Sequence, residues 1–365
     1  MYNWRVKRIE YSSSSLGVKL LLNQAEEARL LLTKVQALCI DKKIFRDTEY
    51  VYFPIIRGEK IDEILKGFDF QIVKIKFPYK KKKVKILNIL KTEFPDELWE
   101  EISLKFDQIG SISLLRLDPE TTTKEFRERT GELIIKTQPK IKTAVNKLDI
   151  TSGIERIFPV EHLSGVKNYK SWHREYSVYI KVDLEKAYFN PRLAEEHRKL
   201  SLEIKEGEQV LDLFTGVGPF ALHCAKAIEC QVYAVDINPY AIKCLKESIR
   251  RNKLKGEIYP IIGDSGKILN RNTSYNRIII NLPGKSIDYL ELAARFVKKN
   301  GLINFYQFIE KVKYPVQFME SLIGEKLKNT QMYKIQDIQV GRDVSPSKIQ
   351  MNVSIQILSK LSSSE

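Results

Sequence analysis

Segments typical of strands and helices alternate along residues 209–308, and this alternation constrains the fold more than any other feature of the sequence. The strand-like segments are rich in Val, Ile, Leu, Phe and Tyr, and a helix-like or loop segment separates each from the next. Such an alternation predicts a doubly wound, mainly parallel sheet, which binds its ligands at the carboxyl ends of its strands. In chain order the segments read QVLDLF, GVGPFALHCAKA, QVYAVDI, PYAIKCLKESIRRN, IYPIIGD, RIIINLPG, IDYLELAARFVKKN and GLINFYQF.

The part of the chain before this alternation predicts two smaller α+β units. A chain of 365 residues exceeds one ordinary domain, so two or three domains are expected. Strand-like LGVKLLL and YVYFPI flank a helical segment in the first unit, and a basic helical segment follows strand-like QIGSISLLRL in the second. The predicted organisation is a tail at 1–15, an α+β domain at 16–76, a basic linker at 77–85, a second α+β domain at 86–168 and the doubly wound domain at 169–365.

Glycines and acids at the predicted strand ends indicate a nucleoside-containing cofactor. Gly216 and Gly218 fall at the turn after the first strand, where the lack of a side chain lets the backbone approach a ligand. Asp236 ends the second strand and can accept both hydrogen bonds of a ribose diol. Asp264 ends the third strand, at a position from which it can meet an adenine amino group.

The same glycines also fit the loose dinucleotide pattern G-x-G-x-x-G/A, with Ala221 in the last place. Two features favour S-adenosylmethionine instead. Asp212 lies four residues before the first glycine, and an acid so close to the loop suits an ammonium group and repels a pyrophosphate. The fourth strand ends in Asn281-Leu282-Pro283, an arrangement that presents an amide and carbonyls to a nucleobase.

An excess of positive charge favours a polyanionic partner. The sequence has 61 Lys and Arg against 46 Asp and Glu, a formal net charge of +15, and nucleic acid is the leading candidate for a partner. The run Lys80–Lys83 in the predicted linker is either a solvated connection or a surface that contacts phosphates.

Cysteine and histidine usage predicts no metal site and an intracellular protein. The four cysteines form no C-x-x-C pair and no convincing zinc set, and they are typical of thiols in a reducing cytosol. The four histidines appear scattered, so we expect each to be structural, and only His197 stands beside a candidate catalytic residue. No apolar stretch is long enough for a membrane span, and the first residues lack a signal-peptide core. We therefore expect a cytoplasmic protein without a membrane partner.

Several of these motifs resemble the archaeal and eukaryotic tRNA (guanine-37-N1)-methyltransferases. The resemblance rests on DLFTGVGPF, AVDINPYA and NLP, on KAYFNPRLAEEHRKL before them, and on RIFPVEHLSG at 156–165. It covers residues 16–365, although the N-terminal part matches in pattern only. It implies a Rossmann-like class I methyltransferase domain with two smaller α+β domains before it, the first of them a tRNA-recognition domain. It also implies S-adenosylmethionine as cofactor, and as partner a tRNA bound through its anticodon loop and body, with no DNA and with the enzyme acting as a monomer.

The resemblance also implies roles for individual residues. Glu196 corresponds to the base that removes the guanine N1 proton, although its neighbour Glu195 leaves open which carboxylate acts. Arg156 corresponds to the arginine that steadies the guanine O6. The residues that hold the target base correspond to Tyr188, Asn281 and Pro283. The cofactor site corresponds to Asp212, Phe214, Gly216, Gly218, Asp236, Ile237, Asp264 and Asn281.

The chemistry of guanine methylation needs such a set. Guanine N1 carries a proton at neutral pH and becomes nucleophilic only when a nearby carboxylate removes it. The negative charge that results spreads to O6, where an arginine stabilises it. Methyl transfer from a sulfonium is an in-line displacement in which positioning does most of the rest.

Two alternatives remain open from the sequence. The first is a related enzyme of the wyosine pathway that acts on the same nucleoside, either transferring an aminocarboxypropyl chain or also methylating the tricyclic intermediate. The second is an inactive RNA-binding module that has kept the cofactor fold. An intact set of site residues argues against the second: Asp212, Gly216, Gly218, Asp236, Arg156 and Glu196. Both the resemblance and the Lys- and Ile-rich composition indicate an archaeal source.

Overall fold

The computed structural model describes residues 14–56, 60–79, 86–95, 102–148, 159–268, 273–328 and 331–360. The chain divides into two compact units, Met1–Lys85 and Ile86–Glu365. Two features that the sequence predicted lie outside the described residues, namely Arg156 and the Lys80–Lys83 run. Among the residues that are described, no helix has the length and apolarity needed to cross a membrane.

The N-terminal unit contains a four-stranded antiparallel sheet in the order β2-β3-β1-β4. Inward-facing residues alternate along the strands and pack on the helices around a core that includes Val18, Phe53 and Leu32. Phe77, which the sequence placed in the linker, is fully buried, and its ring packs so closely on Gly17 that a side chain there would collide with it. The elements are β1 Ser15–Leu21, α1 Ala25–Lys34, β2 Phe45–Arg46, β3 Tyr50–Pro54, α2 Ile61–Ile64 and β4 Phe70–Ile75.

A second four-stranded sheet begins the larger unit, in the order β5-β6-β7-β8. Its central pair is parallel and its outer pairs are antiparallel. The segment QIGSISLLRL, predicted as one strand, is a hairpin because Gly110 makes a turn with a φ of +59°. The elements are α3 Ile86–Glu93, β5 Asp107–Ile109, β6 Ile112–Leu115, α4 Lys124–Thr137, β7 Thr143–Lys147 and β8 Val160–Gly165.

A hairpin and a helix lead from this sheet into the main one. Strands β9 Lys170–Glu175 and β10 Val178–Asp183 pair antiparallel, and α5 Ala194–Glu203 follows a short 3-10 turn. Asn190 caps that turn, because its side chain accepts the N–H of Arg192 at 3.2 Å, and Pro191 occupies its first position.

The main sheet has seven strands in the order β13-β12-β11-β14-β15-β17-β16. The first five strands of this order are parallel, and the last two add an antiparallel hairpin. The elements are β11 Gln209–Asp212, α6 Pro219–Ala227, β12 Gln231–Asp236, α7 Pro239–Arg251, β13 Glu257–Ile262, α8 Ser265–Ile268, β14 Tyr275–Ile280, α9 Leu290–Phe296, β15 Val297–Glu310, α10 Pro315–Leu327, β16 Gln331–Asp343 and β17 Lys348–Lys360.

Both faces of this sheet are covered, as the alternation of strands and helices predicted. Val210 faces a core shared with α6 and α7, whereas Leu211 faces a core shared with α9 and α10. A parallel strand buried on both faces explains why the strand segments read as continuous apolar runs. The architecture is therefore a doubly wound α/β sheet, and its carboxyl edge is the place for a ligand.

Candidate active site

The acids predicted to bind a cofactor meet at the carboxyl edge of the main sheet. Asp212 is the last residue of β11 and Asp236 the last of β12, and these two strands pair in parallel. Asn281 directly follows β14, which flanks β11 on its other side. Parallel pairing therefore brings the ends of three strands to one edge, next to the glycine loop.

The two glycines of the loop have different tasks. Gly216 has a φ of +56°, and a Cβ built on it would meet open space, with only the carbonyl oxygen of Tyr188 at 3.9 Å. Gly218 also has a positive φ, but a Cβ there would lie 2.3 Å from Leu245 of α7. Gly216 is thus open to a ligand, whereas Gly218 is needed for the packing of helices behind the loop.

Asp236 organises the loop that would contact a ribose. Its Oδ2 accepts the N–H of Gly216 at 2.7 Å, and its Oδ1 accepts the N–H of Asn238 at 2.9 Å. Each carboxylate oxygen can accept more than one hydrogen bond, so these contacts are compatible with two ribose hydroxyls. The side chain of the next residue, Ile237, is 43% exposed and offers an apolar surface to a base.

Asp212 is a fully buried carboxylate that makes no hydrogen bond of good geometry. Neither of its oxygens has a hydrogen-bond partner among the described residues. Burial raises its pKa to about 7, and the negative charge of Asp236 acts in the same direction, while the nearby Thr215 hydroxyl and Phe214 N–H act in the opposite direction without reaching good hydrogen-bond geometry. A buried acid in this state is costly for the fold unless a cation binds beside it, and an ammonium group suits it.

Two more of the expected cofactor residues lie along the same edge. Phe214 follows β11, and its ring contacts that of Tyr289 edge-on, with centroids 4.8 Å apart. Asp264 follows β13, and its carboxylate accepts the N–H of Gly266 at 2.9 Å and is otherwise half exposed.

The segment after β14 is held firmly in place. Ser286 accepts the N–H of Leu282 at 3.1 Å, and the carbonyl oxygen of Pro283 accepts the N–H of Phe308 at 2.6 Å. These bonds fix the backbone that directly follows Asn281, whose side chain is partly buried.

The neighbouring acids Glu195 and Glu196 differ in what they contact. Glu195 accepts hydrogen bonds from Arg198 and from the hydroxyl of Tyr176, and these bonds lower its pKa to about 2. Glu196 makes no ion pair or hydrogen bond among the described residues, and its charge acts on the buried hydroxyl of Tyr306. Glu196 is therefore the carboxylate of the two that has capacity to accept a proton from a substrate.

Arg342 is a residue that the sequence analysis missed. It lies on β16 at an irregularity in the pairing between Val340 and Asp343, and such a bulge redirects a side chain. Its Nε is buried without a hydrogen-bond partner among the described residues. Burial lowers its pKa, while the charges of Tyr188 and Glu196 raise it, so all three groups share one neighbourhood. A bulge depends on the pairing of two strands, so no local sequence pattern predicted that Arg342 would enter the site.

The histidines, which are scattered along the sequence, are not scattered in the structure. Three of the four gather around the buried carboxylate of Glu175, at the end of β9. His197 Nδ1 lies 2.8 Å from Glu175 Oε2 and His223 Nε2 lies 3.1 Å from the same oxygen. These histidine contacts lower the pKa of Glu175 to about 2, although its burial has the opposite and larger single influence. His173 lies 3.9 Å from the other oxygen, and His162 remains apart.

Comparisons with known proteins agree with the resemblance read from the sequence. A family model described as the TRM5/TYW2 methyltransferase domain matches residues 171–332. Models described as the TYW2 N-terminal domain and the tRNA methyltransferase 5 N-terminal domain match residues 86–168 and 17–63.

Individual relatives cover most of the chain. The tRNA (guanine(37)-N(1))-methyltransferase Trm5b of Methanocaldococcus jannaschii is 33% identical over 298 residues, which are 80% of this chain and 86% of the relative. The crystal structure of Trm5b from Pyrococcus abyssi superposes with a TM-score of 0.70 at 29% identity, over 94% of this chain and 99% of that one. The complex structure of aTrm5 and tRNALeu superposes with a TM-score of 0.67 at 27% identity, over 94% and 99%.

Proposed function

This chain belongs to the family of tRNA (guanine(37)-N(1))-methyltransferases, and we propose that Glu196 is the base of the family's reaction in it. The enzyme transfers a methyl group from S-adenosylmethionine to N1 of guanosine 37 in tRNA. The single observation that carries our assignment of the base is the contrast between two adjacent carboxylates. Glu195 is occupied by Arg198 and Tyr176, whereas Glu196 has no such partner among the described residues.

The residues at the sheet edge fit S-adenosylmethionine. The unpartnered buried carboxylate of Asp212 suits the ammonium group of the cofactor, and the open face of Gly216 allows the backbone to come close. Asp236 would accept hydrogen bonds from the ribose hydroxyls, and Asp264 would accept one from the adenine amino group. The side chains of Ile237 and Phe214 would contact the faces of the adenine ring. The bound cofactor supplies an electrophilic methyl group on sulfur.

The base pocket would hold guanine so that N1 faces Glu196. We assign Tyr188, Asn281 and Pro283 to the positioning of the base, since the carbonyl of Tyr188 lies beside the glycine loop and the Asn281 segment is fixed by hydrogen bonds. Glu196 would take the N1 proton onto a carboxylate oxygen. Arg156 keeps the role implied by the resemblance, to stabilise the charge on O6, and it lies outside the described residues.

Arg342 would add a second positive charge on this side of the pocket. Its guanidinium shares a neighbourhood with Glu196 and Tyr188 and has a buried Nε without a described partner. A guanidinium whose Nε–H still lacks an acceptor can donate a hydrogen bond to a phosphate oxygen of the RNA next to the target nucleotide. A flipped base leaves its phosphate at the rim of the pocket, where this contact would orient it.

The partner is tRNA, and we propose that recognition extends from the anticodon loop to the tRNA body through the N-terminal unit. The net charge of +15 supports a polyanionic partner. Action as a monomer, without DNA as a partner, is what the resemblance implies. A cytoplasmic location and an archaeal source remain proposals, the latter supported by the archaeal relatives.

One further reaction on the same nucleoside has a specific observation in its favour. Residues 86–168 match the TYW2 N-terminal domain, so this chain shares a module with an enzyme group beyond the plain methyltransferases. Methylation of a tricyclic wyosine intermediate, or transfer of an aminocarboxypropyl chain, would use the same cofactor edge.

Nucleoside mass spectrometry separates these reactions. We would incubate the protein with S-adenosylmethionine and a tRNA transcript, with a transcript carrying adenosine at position 37 as the matched control. The proposal predicts 1-methylguanosine from the first transcript and no product from the second. An aminocarboxypropyl product would identify the alternative reaction, and the absence of any modified nucleoside would indicate an inactive RNA-binding module.

A further inference from the structure

Three histidines and one glutamate that are not assigned to the cofactor or to the base meet in a buried cluster. Glu175 ends β9, His197 lies in the first turns of α5 and His223 lies in α6, so the cluster joins three elements. The side chains of Glu175 and His197 are each 1% exposed and that of His223 is 5% exposed. The proposed methyl transfer uses none of them.

The donor atoms of the cluster have the spacing of metal ligands. His197 Nδ1 and His223 Nε2 lie 2.8 Å and 3.1 Å from Glu175 Oε2, and all three atoms fall within 4.8 Å of one another. Ligand atoms at bond lengths of about 2.0–2.1 Å around a tetrahedral ion are roughly 3.3 Å apart. Small side-chain shifts would therefore place one ion among these three atoms.

Two buried atoms of the cluster remain unsatisfied by hydrogen bonds. Glu175 Oε1 and His197 Nε2 have no hydrogen-bond partner among the described residues. An unpaired buried polar atom costs folding free energy, and a cation bound by Glu175 would satisfy its second oxygen. The Nε2 of His173 lies 3.9 Å from that oxygen, but the Nδ1 of this ring accepts the N–H of Gly110 at 3.4 Å, so Nε2 carries the ring proton and is not available as a ligand.

We propose that Glu175, His197 and His223 bind one zinc-class divalent cation, with the fourth coordination position left for water. Imidazole nitrogens with one carboxylate are a donor set that Zn²⁺ accepts in tetrahedral geometry. All three ligand side chains are at most 5% exposed, so no substrate reaches the ion, and we assign it a structural role. The ion would clamp the β9 hairpin to α5 and α6. Because His197 directly follows Glu196, the clamp would also fix the first turns of the helix that carries the base.

The competing explanation is a network of hydrogen bonds among the same side chains, with a proton where the ion would be. That network would bind no metal, so direct binding measurements separate the two. We would strip the full-length, untagged protein with a chelator, remove the chelator, and titrate it with Zn²⁺ alone by calorimetry. A parallel titration with Co²⁺ alone would follow the visible absorption bands of tetrahedral cobalt.

His223→Gln is the informative variant, because glutamine can still donate a hydrogen bond to Glu175 but lacks the ring nitrogen. We expect one zinc ion per chain in the wild type and at least about 100-fold weaker binding in His223→Gln, since loss of a ligand exceeds the loss of a supporting contact. His162→Gln, which removes the histidine outside the cluster, should bind zinc as the wild type does.

Three results would overturn the proposal: a wild-type protein that binds no zinc, a His223→Gln protein that binds it equally well, or a His162→Gln protein that loses it. Circular dichroism and S-adenosylmethionine affinity would check the fold of each variant. Should His223→Gln fail to fold, the wild-type cobalt spectrum decides, because the absence of tetrahedral bands would contradict the site.

Discussion

Two buried carboxylates in the larger unit have opposite surroundings. Asp212, at the carboxyl edge of the main sheet, has no hydrogen-bond partner among the described residues, and burial raises its pKa to about 7. Glu175, in the cluster that joins β9 to α5 and α6, contacts His197 and His223, and these contacts lower its pKa to about 2. Similar burial thus produces an acid that lacks a partner and an acid that has several.

The difference separates a ligand site from a structural one. An unpartnered carboxylate destabilises the ligand-free fold and regains that free energy when a cation binds, which suits a cofactor that enters and leaves. A carboxylate already surrounded by protein donors stabilises a fixed arrangement of strands and helices. The comparison therefore predicts that changes at Asp212 affect binding, whereas changes at Glu175 affect folding.

The largest effect is expected from Asp212→Asn. Removal of the charge that faces the ammonium group should weaken S-adenosylmethionine binding by about 3–5 kcal/mol, the cost of breaking a buried ion pair. The ligand-free variant should melt at the same or a higher temperature than the wild type, because the unpaired charge is gone. Calorimetry and thermal melting would measure the two quantities, and unchanged cofactor affinity would remove Asp212 from the site.

Asp236→Ala should have a smaller effect on the same affinity. The loss of the ribose contacts should cost about 1.5–3 kcal/mol, the range for hydrogen bonds to a charged group. A titration with NAD(H) serves as the control for ligand class and should show no comparable binding. Tight binding of NAD(H), or wild-type affinity of the variant for S-adenosylmethionine, would favour the dinucleotide interpretation.

Glu175→Gln should affect stability and spare the cofactor. The neutral amide interacts more weakly with the two histidines than the charged carboxylate does, so urea unfolding should show a loss of about 1–3 kcal/mol in the free energy of unfolding. The affinity for S-adenosylmethionine should stay within twofold of the wild type. A variant that unfolds normally but no longer binds the cofactor would reverse the comparison.

A change of pH by one unit should alter the affinity for S-adenosylmethionine less than the substitutions at Asp212 or Asp236 do. The folded pKa of Asp212 lies above its ordinary value of 3.8, at about 7, so the protonated form prevails below pH 7. Affinity for S-adenosylmethionine should therefore fall by up to about tenfold per pH unit below 7. Above pH 7 it should be constant until the ligand's own amino group loses its proton near pH 8.

The stability of the ligand-free protein should have the opposite slope. Because Asp212 binds its proton more tightly when folded, its contribution to stability is present at low pH and is lost as the pH rises towards 7. Asp212→Asn should remove the pH dependence of cofactor affinity and that of stability. Calorimetry from pH 5.5 to 8 would test both. An affinity profile that is flat across this range in the wild type would contradict the raised pKa.

Much of the fold and of the cofactor edge could be read from the sequence. The strand and helix alternation predicted the doubly wound sheet, and the family comparison confirms the fold class and the cofactor. Asp212, Asp236 and Asn281 follow apolar strands, so the rule for parallel sheets was enough to bring them together. Their individual roles remain proposals.

The features that were missed depend on contacts between distant segments. The histidine cluster forms only when the β9 hairpin packs on α5 and α6. The sequence spacing of Glu175, His197 and His223 does not by itself indicate a cluster. Gly218 was assigned to the cofactor, and its packing on Leu245 of α7 is a second reason for a glycine there, which only the packed structure shows. Arg342 enters the site through an irregularity in the pairing of β16 with β17, which no local pattern encodes.

The central claim is that Glu196 removes the N1 proton of guanosine 37, and the single-turnover rate of methyl transfer tests it most directly. With saturating S-adenosylmethionine, Glu196→Gln should lower this rate by about 10²–10⁴, the usual contribution of general base catalysis. The matched variant Glu195→Gln should keep nearly the wild-type rate, because its carboxylate is occupied by Arg198 and Tyr176. A large loss in Glu195→Gln with little change in Glu196→Gln would move the base to the neighbouring residue, and wild-type rates in both would contradict the mechanism.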